Sequence, residues 1–67
     1  MDKLTLTVTT FIDIDIKLIK DKINKSGISV KEAVEDYITG LGDEYHLIGD
    51  VEKQRIYKAL REDGFED

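Results

Sequence analysis

Leu4-Thr5-Leu6-Thr7-Val8-Thr9-Thr10-Phe11-Ile12-Asp13-Ile14-Asp15-Ile16-Lys17-Leu18 is the stretch on which the fold turns. Nearly every even position is apolar (Leu4, Leu6, Val8, Ile12, Ile14, Ile16, Leu18), and most odd positions are Lys, Thr or Asp. That period of two belongs to a strand with one buried face, and the Thr and Ile content suits a pleated surface. One continuous strand of this length would run ~50 Å at ~3.3 Å per residue, too long for so small a domain. The strand must break. A hairpin around Thr9 and Thr10 is one solution, but neither residue favours the positive φ of tight two-residue turns. A switch to helix is the other: Ile12, Ile16, Ile19 and Ile23 fall at i, i+4, i+7 and i+11. Asp13 and Asp15 would then sit near the positive end of the helix dipole, and Lys22 and Lys25 near its negative end. The charges favour a strand over about residues 3–10 and a helix over about 14–25, with a strand reaching Ile16 as the alternative.

Outward from this stretch the signals are plainer. Ser26-Gly27 ends the first helix, because glycine takes the left-handed C-cap conformation at least cost. Ser29-Val30-Lys31-Glu32 has the form of a capping box, in which hydroxyl and carboxylate each accept a bond from a helix-start amide. Val30, Ala33, Val34, Tyr37, Ile38 and Leu41 then recur with helical spacing, and Gly40 and Gly42 stop the helix. Residues 43–49 read as a loop with a short extended piece at 45–48. Asp50 is placed to cap a last helix carrying Val51, Ile56, Ala59 and Leu60 and ending at Gly64. The expected fold is α+β: an N-terminal strand, extended or folded as a hairpin, followed by three short helices in a single small domain of residues 1–67.

Size bounds the rest. A chain of 67 residues buries only ~60% of its unfolded surface. It has no cysteine and a single histidine, so disulfide and zinc staples are out of reach, and a homodimer is the expected way to complete the core. No apolar run approaches the ~20 residues that span a bilayer, and the N-terminus lacks a secretory pattern, so the expected setting is cytoplasmic with no membrane partner. Chemistry is equally bounded. His46 has no second imidazole or thiolate to share a metal with. Asp43, Glu44 and Asp50 lack EF-hand spacing, and Gly40-Leu41-Gly42 lacks the third glycine of a dinucleotide fingerprint. The chain is expected to be no enzyme and to hold no cofactor.

Charge carries the functional signal. From Glu32 to Glu52 the chain runs 21 residues without Lys or Arg and holds seven carboxylates: Glu32, Glu35, Asp36, Asp43, Glu44, Asp50 and Glu52. Residues 1–25 have five basic and four acidic side chains, so the net −5 arises downstream, where eleven acids meet five bases. A surface of this kind seeks a basic partner through long-range attraction. The seven carboxylates are therefore the candidate partner-binding groups, with Glu62, Asp63, Glu66 and Asp67 as a second patch. Acids at a helix C-terminus oppose its dipole by typically ~0.3–1 kcal/mol each, so folding does not ask for them there.

Two resemblances follow. Strand, helix, Gly-containing turn and capped amphipathic helix is the order of a ribbon-helix-helix domain, which residues 4–41 resemble. Ser26-Gly27-Ile28-Ser29-Val30-Lys31-Glu32-Ala33-Val34 is similar to the turn and second helix of that family. The resemblance implies a dimer whose paired strands enter the DNA major groove, with Thr5, Thr7 and Thr9 at the bases and the amides around Ser29 and Val30 at a phosphate. Such proteins include antitoxins with a toxin-wrapping C-terminal segment. Residues 43–67 would be that segment, anchored by Tyr45, Leu47, Ile48, Ile56, Tyr57, Leu60 and Phe65, unless the last helix folds onto its own domain. The charge opposes direct DNA binding, because duplex affinity comes largely from phosphate neutralisation. In general character the chain instead resembles the DNA-mimic inhibitors that phages direct against host nucleoid proteins, nucleases or polymerase subunits. That likeness implies competitive occupation of a basic nucleic-acid-binding surface. The expected function is thus a small acidic DNA mimic, with a ribbon-helix-helix regulator or antitoxin as the alternative.

Overall fold

In the computed structural model, which describes residues 2–66, the alternating stretch is a β-hairpin. Strands β1 (Lys3–Thr7) and β2 (Phe11–Asp15) pair antiparallel, with Leu4 opposite Ile14 and Leu6 opposite Ile12 on the inner face. Lys3/Asp15, Thr5/Asp13 and Thr7/Phe11 form the pairs of the outer face. The single strand over 3–10 and the helix start at 14 are thereby corrected. A three-residue loop, Val8 to Thr10, closes the hairpin with Val8 N–H donating to Thr10 O at 3.0 Å, and among the described residues only glycines have positive φ. The objection to a hairpin held only for two-residue turns. Ile12 and Ile14 are sealed at 1% and 0% exposure, a burial that strand alternation delivers and a helix start at residue 14 would not.

Helix α1 (Ile16–Ser26) begins directly where β2 ends. Asp15 is its N-cap, the Oδ1 accepting from Leu18 N at 3.0 Å, whereas Asp13 stays in the strand and accepts from Thr5 Oγ1 at 2.8 Å. Gly27, with φ 67°, turns the chain out of α1. Helix α2 (Val30–Thr39) is capped by Ser29 Oγ, which accepts from Glu32 N at 3.1 Å. The serine half of the expected box forms; no bond returns from the Glu32 carboxylate. Gly40 keeps right-handed φ, and it is Gly42, with φ 70°, that redirects the chain. The expected loop over 43–49 is a 3-10 helix, Gly42–Leu47, with Ile48 dipping into the core. Helix α3 (Asp50–Glu62) starts from Gly49, whose N–H donates to Glu52 Oε1 at 2.8 Å. Asp50 is therefore the first helical residue rather than the cap.

Thirteen of the described residues form one apolar core, drawn from the hairpin, all three α-helices and Ile48, and none of the buried side chains is polar or charged. Leu6, Ile12, Ile14, Ile16, Ile19, Val34, Ile38, Ile56 and Leu60 are almost wholly sealed. The Tyr37 hydroxyl accepts a bond from Asp15 N at 2.9 Å, tying α2 to the corner where strand becomes helix. Ile56→Ala should cost ~2–5 kcal/mol in denaturant unfolding, as expected for truncating a sealed aliphatic side chain. Val51→Ala, one helix turn away but 70% exposed, should fall within ~0.5 kcal/mol of wild type.

Candidate functional site

The acidic block divides into carboxylates that hold the fold and carboxylates that do not. Helix α2 lies between α1 and α3, and its two central acids reach opposite ways. Asp36 pairs with Lys22 of α1 at 3.2 Å, and Glu35 pairs with Lys53 of α3 at 3.2 Å. The remaining helix pair is closed by Asp63, which follows α3 and takes Lys20 of α1 at 2.9 Å; Asp2 also reaches Lys20, at 3.5 Å. Each of the three helix–helix junctions thus carries one lysine–carboxylate pair. The Lys20 ammonium is held above its ordinary 10.5 by the hydrogen bond to Asp63, outweighing its partial desolvation. Asp63 is correspondingly held below its ordinary 3.8, first by the same bond.

What remains is a smaller negative surface. Among the described residues Glu32, Asp43, Glu44 and Asp50 are exposed and make no ion pair. Asp43 and Glu44 lie in the first turn of the 3-10 helix, and Asp50 and Glu52 in the first turn of α3. Glu52 is half-buried and engaged by the Gly49 amide. Glu32 stands one turn above Asp36 on the outer ridge of α2. Two large apolar side chains surface among these charges, Tyr45 at 43% and Val51 at 70% exposure. Tyr45 meets His46 edge to face, with ring centroids 5.4 Å apart. Lys53 marks where the pieces converge. The Glu35 hydrogen bond raises its pKa above 10.5, with Tyr45 and Asp50 close enough to add to the effect.

The other residues singled out from sequence fall elsewhere. Glu62 and Glu66 are exposed at the C-terminal end, Asp63 is committed to Lys20, and Asp67 lies outside the described residues. Thr5 and Thr7 are on the outer face of the hairpin beside Asp13 and Asp15, and Thr9 is in its turn. The strand that the ribbon-helix-helix resemblance would pair with a second chain pairs here with β2. Ser29 and Val30 open α2, and Val30 is buried. Of the seven anchors named for a toxin-wrapping segment, Ile48, Ile56 and Leu60 are in the chain's own core; Tyr45 is exposed, and Leu47, Tyr57 and Phe65 are half-buried. No group of three or more His, Asp or Glu side chains among the described residues is gathered as a metal would require, and no helix is long and apolar enough to cross a membrane.

Sequence reasoning missed the lysines that neutralise the block, because Lys22 and Lys53 reach Asp36 and Glu35 from other helices, Lys22 across 14 positions. It also placed Val51 on the buried stripe of the last helix, whereas Val51 lies five residues before the sealed Ile56, ~140° round the helix from it, and is exposed. No family model, curated protein or solved structure matches the chain.

The Lys20–Asp63 pair has a pH signature. A raised lysine pKa contributes stability that is full below 10.5 and is lost as pH rises through the raised value. A lowered carboxylate pKa contributes stability present above 3.8 and lost as pH falls through the lowered value. The melting-temperature gap between wild type and Lys20→Met should therefore be widest between those limits and close at both extremes, as followed by circular dichroism.

Proposed function

We propose that this protein is an acidic nucleic-acid mimic: it binds a basic nucleic-acid-binding protein and competes for the surface that protein offers to phosphates. The observation that carries the assignment is the selective neutralisation just described. Lysines match the carboxylates at the helix junctions and leave Asp43, Glu44 and Asp50 unmatched in the stretch that exposes Tyr45 and Val51, with Glu32 unmatched at the other end of α2. Asp43 and Glu44 lie in the first turn of the 3-10 helix and Asp50 in the first turn of α3, so these charges are held on ordered elements rather than spread along a mobile tail. Pre-positioned charge costs less to bind than charge that must be ordered first. An aromatic side chain within a charged rim is the usual composition of an energetically important contact. Long-range attraction would set the association rate, and salt would weaken it.

Direct binding to a duplex fits less well. The outer face of the hairpin presents Asp13 and Asp15 beside Thr5 and Thr7, and carboxylates next to the reading side chains repel the phosphates that supply most affinity. A homodimer remains compatible with the mimic and would double the negative field.

A direct test follows a random DNA duplex bound to a bacterial histone-like nucleoid protein by fluorescence anisotropy while this chain is added. Displacement is expected, strong at about 50 mM salt and much weaker at about 200 mM. Asp43→Asn/Glu44→Gln/Asp50→Asn should compete at least about tenfold less well, the loss of roughly 1.4 kcal/mol of attraction, with its melting temperature little changed. Equal competition by the triple variant, or binding of the chain to the duplex itself, would show the proposal to be wrong.

A further inference from the structure

The hairpin is a two-stranded sheet, so each strand has an outer edge. Antiparallel pairs alternate between those that exchange ladder bonds and those that do not. Val8 N–H donates to Thr10 O, which places Leu6/Ile12 and Leu4/Ile14 among the bonded pairs and Thr7/Phe11, Thr5/Asp13 and Lys3/Asp15 between them. The backbone amides of Phe11, Asp13 and Asp15 therefore point away from β1. The third of these confirms the phase, since Asp15 N–H is taken by the Tyr37 hydroxyl at 2.9 Å. No backbone bond outside the ladder reaches the amides of Phe11 or Asp13. Two unpaired donors thus stand along the β2 edge, which ends at Tyr37.

Beyond Tyr37 the surface continues as a cleft of about 380 Å³ between α1 and α2, lined by Leu18, Ile19, Ala33, Tyr37 and Leu41, with Lys22 and Asp36 at its rim. Leu18 is 55% exposed there, and Phe11, at the other end of the edge, is 72% exposed. The two hairpin edges differ in charge. The outer face of β2 carries Asp13 and Asp15, whereas β1 carries Lys3 and its Leu4 shares a hollow with Arg55, Lys58 and Glu62 of α3.

We propose that the β2 edge and the adjoining cleft bind an extended segment of another protein by strand addition, and that this segment alternates basic and apolar residues. An added strand would pair its backbone with the amides of Phe11 and Asp13. Its side chains on the outer face would meet Asp13 and Asp15, where lysine or arginine makes the favourable cross-strand pair. Its alternate side chains would point towards the helices and the apolar cleft. A second copy registered on Asp13 does not suit this edge. Antiparallel pairing of β2 with itself about a two-fold axis at Asp13 would set Asp13 against Asp13, a like-charge pair that discourages self-addition. The edge is separate from the Asp43–Asp50 surface and stands independently of the function assigned to it.

The test uses the full chain, ¹⁵N-labelled, and a synthetic peptide of about eight alternating lysine and valine residues. A counterpart of the same sequence, N-methylated along one edge, keeps the charge and the side chains but removes the strand-forming amides. The plain peptide should shift the amide signals of Phe11 and Asp13 and slow their hydrogen exchange. The methylated peptide should bind at least about tenfold more weakly, the equivalent of one to two backbone hydrogen bonds. Equal affinity of the two peptides would overturn the proposal, as would shifts confined to Asp43–Asp50 or no binding at all. Sedimentation of the free chain as a dimer, with the Phe11 and Asp13 amides already protected from hydrogen exchange, would also overturn it.

Discussion

An apolar core collected from every element of a very short chain is the constraint from which the rest of the structure follows. Leu6, Ile12 and Ile14 come from the hairpin, Ile16 and Ile19 from α1, Val34 and Ile38 from α2, and Ile56 and Leu60 from α3; each is sealed. No element can leave without exposing what the others bury. Because none of the described buried side chains is charged, all of the acidity is pushed to the surface. There some of it pairs across a helix junction, some caps a helix or binds a neighbour on its own helix or hairpin, and the rest is exposed to solvent.

That division gives the charge a structure it lacks in the sequence. A block of seven acids without one base reads as a uniform negative face. In the fold, Lys22 and Lys53 arrive from the flanking helices and quench its centre at Asp36 and Glu35. The negative field that survives is displaced to the rim, where Asp43, Glu44 and Asp50 surround Tyr45.

Local signals were legible and non-local ones were not. The spacing of Val30, Ala33, Val34, Tyr37 and Ile38 and the Ser29 cap were readable because a helix writes its period and its start into adjacent residues. Gly27 was readable for the same reason. The hairpin is one of two readings the stretch leaves open, since Thr9 and Thr10 are poor residues for a two-residue turn, and nothing local announces a three-residue loop with ordinary φ values. The start of α3 slipped by one residue because Asp50 looks like a cap, while Gly49 caps without a side chain. The candidate site was legible as a composition, in the run of acids from Glu32 to Glu52. Its partition was not, because ion pairing depends on which elements pack together.

The central claim is that negative charge available to a partner is concentrated on residues 43–52 and absent from the helix junctions. Amide chemical-shift mapping of the ¹⁵N-labelled chain against a basic nucleoid protein tests this most directly. The account predicts the largest shifts at Asp43, Glu44, Tyr45 and Asp50, with Lys20, Lys22 and Asp63 unmoved. Shifts centred on α1 or on the Lys20–Asp63 junction, with residues 43–52 unmoved, would contradict it.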